Sequence, residues 1–167
     1  TGAESPSQRK LIPVSVKTRV GYERIIVEEW IRSLLEENPS VISLHGRTLK
    51  QMYRGSADWE AIARAVGISK NSGTLILGNG DLRTMKDVYH RIYESGVDGV
   101  LLGRSTLGDP WIFRAKNHVK KALREGSNVC IDESVASLED RLRVMLEHSK
   151  HFTKHLDIRC FVGMRKH

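Results

Sequence analysis

The stretch TLILGNGD, Thr74–Asp81, followed by GVLLGRS, Gly99–Ser105, decides how this chain is read. Each is a short apolar run that ends in glycine beside a polar or charged residue. Runs of this length, bounded by Gly and Asn, predict strands buried on both faces. Between them MKDVYHRIYES has helical periodicity, with Thr84 placed to cap its start and Gly96 to end it. A strand, a helix and a second strand in this order predict a parallel pair, because two parallel strands need a long crossover.

The same unit recurs toward the N-terminus. PVSVKTR (Pro13–Arg19) reads as a strand, and IIVEEWIRSLLEE (Ile25–Glu37) as an amphipathic helix stopped at Asn38-Pro39. VISLHGR (Val41–Arg47) is a second strand, and a helix after Ser56 is expected to run to about Val66, with Gly67 as its C-cap. Beyond the fourth strand, Pro110 is expected to open a helix through about Arg124. Strand starts recur every roughly 25–33 residues, which is the spacing of successive βα units in an α/β fold. After Gly126 the alternation ends: SNVCIDES reads as a connector, Ser137–Leu156 as a helix, and a further short helix is expected near the end.

Composition restricts the function classes. The 167 residues are 40% hydrophobic and 28% charged, as in a water-soluble globular protein. No apolar run approaches the roughly 20 residues of a membrane span. The polar start TGAESPSQRK has no apolar signal-peptide core. Cys130 and Cys160 suggest neither a disulfide framework nor a metal knuckle, so a cytoplasmic setting is expected. The net charge of +7 favours a polyanionic partner. That charge is uneven, with fifteen basic against thirteen acidic residues up to Pro110 and twelve against seven beyond it.

In parallel α/β folds, functional groups gather at the carboxyl ends of strands. Those ends offer Lys17 and Arg19, His45 and Arg47, Asn79 and Asp81, and Arg104. A phosphate needs close backbone N–H groups, which glycine permits, and a fork of donors, which arginine supplies. GNGD and GRS meet both needs, and in an eight-stranded barrel the last two loops often form the phosphate site. Lys17 either lies against an anionic or electron-rich ring or forms a salt bridge with Asp81. His45 is either a donor to a phosphate or substrate carbonyl, or a satisfied core histidine. His148, His151 and His155 share one helix face, but no fourth ligand completes a zinc set and Lys150, Lys154 and Lys166 oppose a cation, so no metal is expected.

VSVKTRVGY, SLHGRTLKQMYRGSADW, LILGNGDLRT and VDGVLLGRSTLGDPWIF, in this order, resemble the second half of a tRNA-dihydrouridine synthase. The resemblance covers about residues 11–125 and implies a (β/α)8 TIM-barrel fold, of which about four βα units are present. Residues 1–10 read as a flexible lead-in, and 126–167 resemble the start of the family's helical, tRNA-binding domain. The resemblance implies FMN-dependent reduction of uridine in tRNA to 5,6-dihydrouridine, with NADPH as reductant. It implies that Lys17 contacts the flavin ring and that His45 sits between flavin and substrate base. Asn79, Gly80, Asp81, Gly103 and Arg104 would hold the ribityl phosphate.

The family's NMGCP-like loop, whose cysteine protonates uracil C5, is not in this sequence, and neither Cys130 nor Cys160 stands near a strand end. The expectation is therefore a fragment that binds FMN weakly and has no synthase activity alone. Its first and last strands would have open edges and its sheet one open face. A first half barrel, or a second copy, would cover them. For tRNA, Arg141, Arg143, Lys150, Lys154, Arg159, Arg165 and Lys166 are phosphate-contact candidates, with Arg47, Lys50 and Tyr53 nearer the substrate. Two other readings fit the same residues. One is a different flavin- or phosphate-binding barrel enzyme, and the other is a non-catalytic basic RNA-binding module.

Overall fold

The structure, a computed structural model, describes residues 12–126 and 136–155. Ser15–Arg19 (β1), Val41–His45 (β2), Leu75–Asn79 (β3) and Gly99–Leu101 (β4) form one parallel sheet in that order. Val27–Glu36 (α1) lies between β1 and β2, Trp59–Ser69 (α2) between β2 and β3, and Met85–Ser95 (α3) between β3 and β4. A strand order that never reverses is the winding of a βα barrel, whereas a doubly wound sheet changes direction at a switch point. The described residues group into two units. One runs to Gly80 and resumes over Glu94–Leu101; the other holds Asp81–Tyr93 and the chain from Leu102 onward.

In the first unit, register decides which side chains share a face. Thr18, Leu44 and Gly78 are partners across β1, β2 and β3, as are Val16, Ile42 and Ile76. This face takes the helices: Trp30 Nε1 of α1 donates to Thr18 Oγ1 at 2.9 Å, and α2 packs on β3 and on α1. Ile42, Leu44 and Ile76 are fully buried there, as are Val27, Ile31 and Ile62 from the helices. Packing rather than capping holds α1. Its N-cap residue Ile26 makes no side-chain cap bond, worth about 1 kcal/mol where present, whereas each buried Val27 or Ile31 contributes roughly 1.5–3 kcal/mol.

The opposite face carries two rows, Lys17, Ser43, Leu77 and Gly99, then Arg19, His45, Asn79 and Leu101. Neither α1 nor α2 covers this face, and at its amino end Leu75 is 47% exposed. Lys17, expected at a strand end, lies instead at the centre of edge strand β1.

In the second unit, Thr84 and Asp87 form a reciprocal cap for α3. Asp87 N–H donates to Thr84 Oγ1 at 3.0 Å, while Asp87 Oδ2 accepts from Thr84 N–H at 2.9 Å. Lys116–Glu125 (α4) ends at Gly126 with φ of 62°. Leu138–His155 (α5) starts where Ser137 Oγ accepts from Asp140 N–H at 3.1 Å.

Two helix boundaries differ from expectation. Gly67 does not end α2, which continues to Ser69, because Ala61, Ile62, Ala65 and Ser69 sustain one buried stripe. An internal glycine costs only about 1 kcal/mol, less than that stripe contributes. Pro110 opens a 3-10 segment, Pro110–Ala115, before α4 begins, so the expected single helix is two pieces. The connector SNVCIDES (127–134), the helix expected near the end, Cys130 and Cys160 lie outside the described residues. No helix among the described residues is long and apolar enough to cross a membrane.

Candidate functional site

At the carboxyl end of the first unit's sheet, three short stretches interlock. Gly46, just after β2, donates from N–H to Asn79 O at 3.0 Å and accepts from Asp58 N–H at 2.6 Å. Asp58 in turn caps α2, its Oδ1 accepting from Ala61 N–H at 2.7 Å. This places Trp59 against the sheet, where it is buried, and its Nε1 donates to Gly80 O at 3.0 Å. A Cβ on Gly78 would stand 2.5 Å from the indole, so only glycine leaves room for the ring. Gly80 has φ of 134°, and a Cβ there would stand 2.5 Å from Ala57 Cβ and 3.3 Å from His45 Cδ2. The HG, ADW and GNG stretches are therefore one packed cluster.

The strand-end side chains divide between shaping this cluster and facing out of it. Asn79 Nδ2 donates to Leu101 O at 2.8 Å, which ties β3 to the edge strand β4. Arg19 Nη1 donates to Thr48 O at 2.9 Å and to Met52 O at 3.2 Å, bracing the loop after β2. Arg47, expected to meet the substrate strand, is only 2% exposed. Its Nη2 donates to Gly55 O at 2.6 Å and its Nη1 lies 3.5 Å from His45 Nε2. It is a loop-holding residue in this geometry, because carbonyl oxygens seven and eight residues ahead take its fork. Lys50 and Tyr53 do lie on the surface, with Lys50 paired to Glu23 and Tyr53 63% exposed.

His45 is buried between Gly80 and Arg47, with its ring placed by both. Lys17 is exposed overall, yet partial desolvation of its ammonium, and then the Arg19 charge, lower its pKa below the ordinary lysine range. It forms no salt bridge among the described residues. A lysine held at a cost to its own charge is suited to an anionic or electron-rich partner.

In the second unit, Arg104 Nη2 donates to Asp81 Oδ1 at 3.1 Å. Asp81 thus takes this arginine as an ion-pair partner. The position of a Gly103 Cβ has no neighbouring atom within 4 Å, so an incoming group can approach that backbone closely. On α5, Arg143 pairs with Asp140 at 2.6 Å and Arg141 Nε donates to Ala136 O at 3.3 Å. Lys150 and Lys154 are exposed, while Arg159, Arg165 and Lys166 lie outside the described residues. Among the described residues no group of three or more His, Cys, Asp or Glu side chains is arranged to hold a metal.

The stretches that interlock in space are those that carried the resemblance in sequence. The profile of the family described as dihydrouridine synthase (Dus) matches residues 7–164. The chain belongs to the dihydrouridine synthase family. It is 35% identical over 125 residues to a probable tRNA-dihydrouridine synthase of Aquifex aeolicus, covering 73% of this chain and 39% of that protein. It is 32% identical over 139 residues to tRNA-dihydrouridine synthase B of Pseudomonas aeruginosa, covering 82% of this chain and 39% of that protein. A probable tRNA-dihydrouridine synthase of Mycobacterium tuberculosis is 38% identical over 105 residues, covering 61% of this chain and 26% of that protein. The chain thus spans about two fifths or less of the length of these relatives.

In this member of the dihydrouridine synthase family, sequence reasoning missed the part played by Trp59. The available signal was a large aromatic directly after a capping aspartate, with glycine at alternate positions of the next strand. A bulky ring and an absent side chain facing it are complementary features of one contact.

Proposed function

We propose that this chain supplies the phosphate-holding and ring-contacting half of an FMN site in a tRNA-dihydrouridine synthase. The packed HG–ADW–GNG cluster carries the reading, because it fixes His45 and the backbone at Gly80 at the end of the sheet face that bears Lys17. The residues fit the cofactor in kind. Arg104 and the open backbone at Gly103 suit a phosphate dianion, and Lys17 suits an electron-rich ring. When bound, FMN supplies hydride chemistry, taking reducing equivalents from NADPH and passing them to uridine.

The chain's own residues bind and orient. Asn79, Gly80, Asp81, Gly103 and Arg104 are assigned to the phosphate end, and Lys17 to the ring. His45, its Nε2 beside Arg47, is held for contact with flavin or base. Lys150 and Lys154 on α5 are assigned to tRNA phosphates, and Lys50 and Tyr53 to the strand carrying the target base. Among the described residues none is assigned to protonate uracil C5, and that role is assigned to the other half of the barrel.

Titration with FMN and a uridine-reduction assay with NADPH test the proposal. The isolated chain is expected to bind FMN weakly and reduce no uridine, and turnover is expected once the first half of the barrel is supplied. Clear turnover by the chain alone would overturn the division of labour. A colourless protein that binds sugar phosphates would overturn the flavin assignment.

A further inference from the structure

We infer that Asp81 is a positioning residue, whose carboxylate orients the Arg104 guanidinium toward the phosphate without touching the flavin itself; this rests on the FMN reading above. The observation is the Nη2–Oδ1 contact of 3.1 Å between an arginine whose side chain is 61% exposed and a carboxylate that is 32% exposed. An exposed ion pair of this kind adds little to stability, so folding alone gives weak reason for it.

Charge argues against Asp81 as a direct ligand. A carboxylate set against phosphate oxygens is a pair of like charges, which disfavours binding. The same carboxylate acting on arginine has the opposite effect. A long, solvated guanidinium loses much rotamer freedom when it grips a ligand, and a fixed acceptor removes part of that loss beforehand. A guanidinium has five N–H donors, so a contact through Nη2 and a grip on phosphate are compatible. The backbone of Asp81 has φ of 53°, a left-handed conformation that Asp and Asn tolerate better than other side-chain-bearing residues. Asparagine can therefore replace it without disturbing the turn, while keeping an oxygen for Nη2.

The test compares FMN with riboflavin, which lacks the phosphate, by flavin fluorescence quenching in the full-length protein. Asp81→Ala is expected to weaken FMN roughly tenfold and leave riboflavin unchanged, in line with a lost hydrogen bond that holds the guanidinium in place beforehand. Added to Arg104→Ala it should cause no further loss, because both act through one guanidinium. Asp81→Asn should recover most of the FMN affinity. Unchanged or tighter FMN binding by Asp81→Ala would overturn the inference, and so would additive losses in the double variant. Equal losses for both flavins would assign Asp81 to the fold instead. Should the unsubstituted protein fail to bind FMN more tightly than riboflavin, the phosphate reading itself falls and the inference with it.

Discussion

The Trp59 indole donates from Nε1 to the carbonyl oxygen of Gly80 at 3.0 Å while its ring fills the space beside Gly78. One side chain thereby fixes the shape of the GNG segment. The consequence is a stability dependence centred on two atoms. Trp59→Phe should lower unfolding stability by roughly 1–2 kcal/mol through an unpaired buried carbonyl. Gly78→Ala should cost roughly 1–3 kcal/mol by forcing the ring aside. Urea unfolding of each variant checks both, and an unchanged midpoint in Gly78→Ala would contradict the packing described.

Arg47 is read as a scaffold for the loop after β2. Arg47→Met should leave the Gly55 carbonyl unsatisfied, and faster amide hydrogen exchange is expected across the loop between Gly46 and Asp58. The salt dependence of tRNA binding should keep its slope in this variant, since a buried arginine releases no counterion. A shallower slope would return Arg47 to the RNA surface.

Lys17 gives a pH signature with a definite sign. Its folded pKa lies below the ordinary lysine value, through desolvation and the Arg19 charge, so the unfolded chain binds more protons in the window between the two values. Stability of the parent therefore rises with pH across that window. Lys17→Met should be more stable than the parent at pH 7, with the gap closing as pH passes the ordinary lysine value. Its flavin affinity should fall. Denaturant unfolding at pH 7 and at alkaline pH, with a parallel flavin titration, reads both effects.

Asp87 titrates in the opposite sense. Burial works to raise its pKa, but hydrogen bonds from Arg83 and Thr84 N–H and from Thr84 Oγ1, with the Arg91 charge, hold it below the ordinary aspartate value. The cap's contribution is present above the unfolded pKa and is lost as pH falls through the folded one. Asp87→Asn should lose stability at pH 7 and converge on the parent in acid. Equal differences at pH 7 and at the acid end would show that the charge is not responsible.

The exposed lysines of α5 are expected to act on tRNA by charge alone. The double variant Lys150→Ala/Lys154→Ala should lower the slope of log affinity against log salt by about 1.5–2, for loss of two phosphate contacts. Binding to different tRNAs should weaken alike. An unchanged slope would place the RNA elsewhere.

Much of this protein was legible in its residues because the signals are local. Period and punctuation set the order of strands and helices, and Thr84 and Gly96 mark the limits of α3 through contacts made within one turn. The clustering of polar residues just after apolar runs pointed to the carboxyl ends of the strands. Gly67 misled because a glycine inside a helix costs only about 1 kcal/mol, and it falls within a helix whose buried stripe runs from Ala61, Ile62 and Ala65 on to Ser69.

What the sequence by itself determined is the succession of βα units, the family, and which residue types stand at the strand ends. What only the tertiary structure decided is which of them are partners. Arg47 is buried by carbonyls on a loop that folds back over it, and Asn79 is turned toward Leu101 by the pairing of β3 with β4. Asp81 pairs with Arg104, twenty-three residues further along the chain. The reason is one of distance along the chain: propensities and caps act over a few residues, whereas each of these contacts joins segments brought together only when the loops and strands are in place.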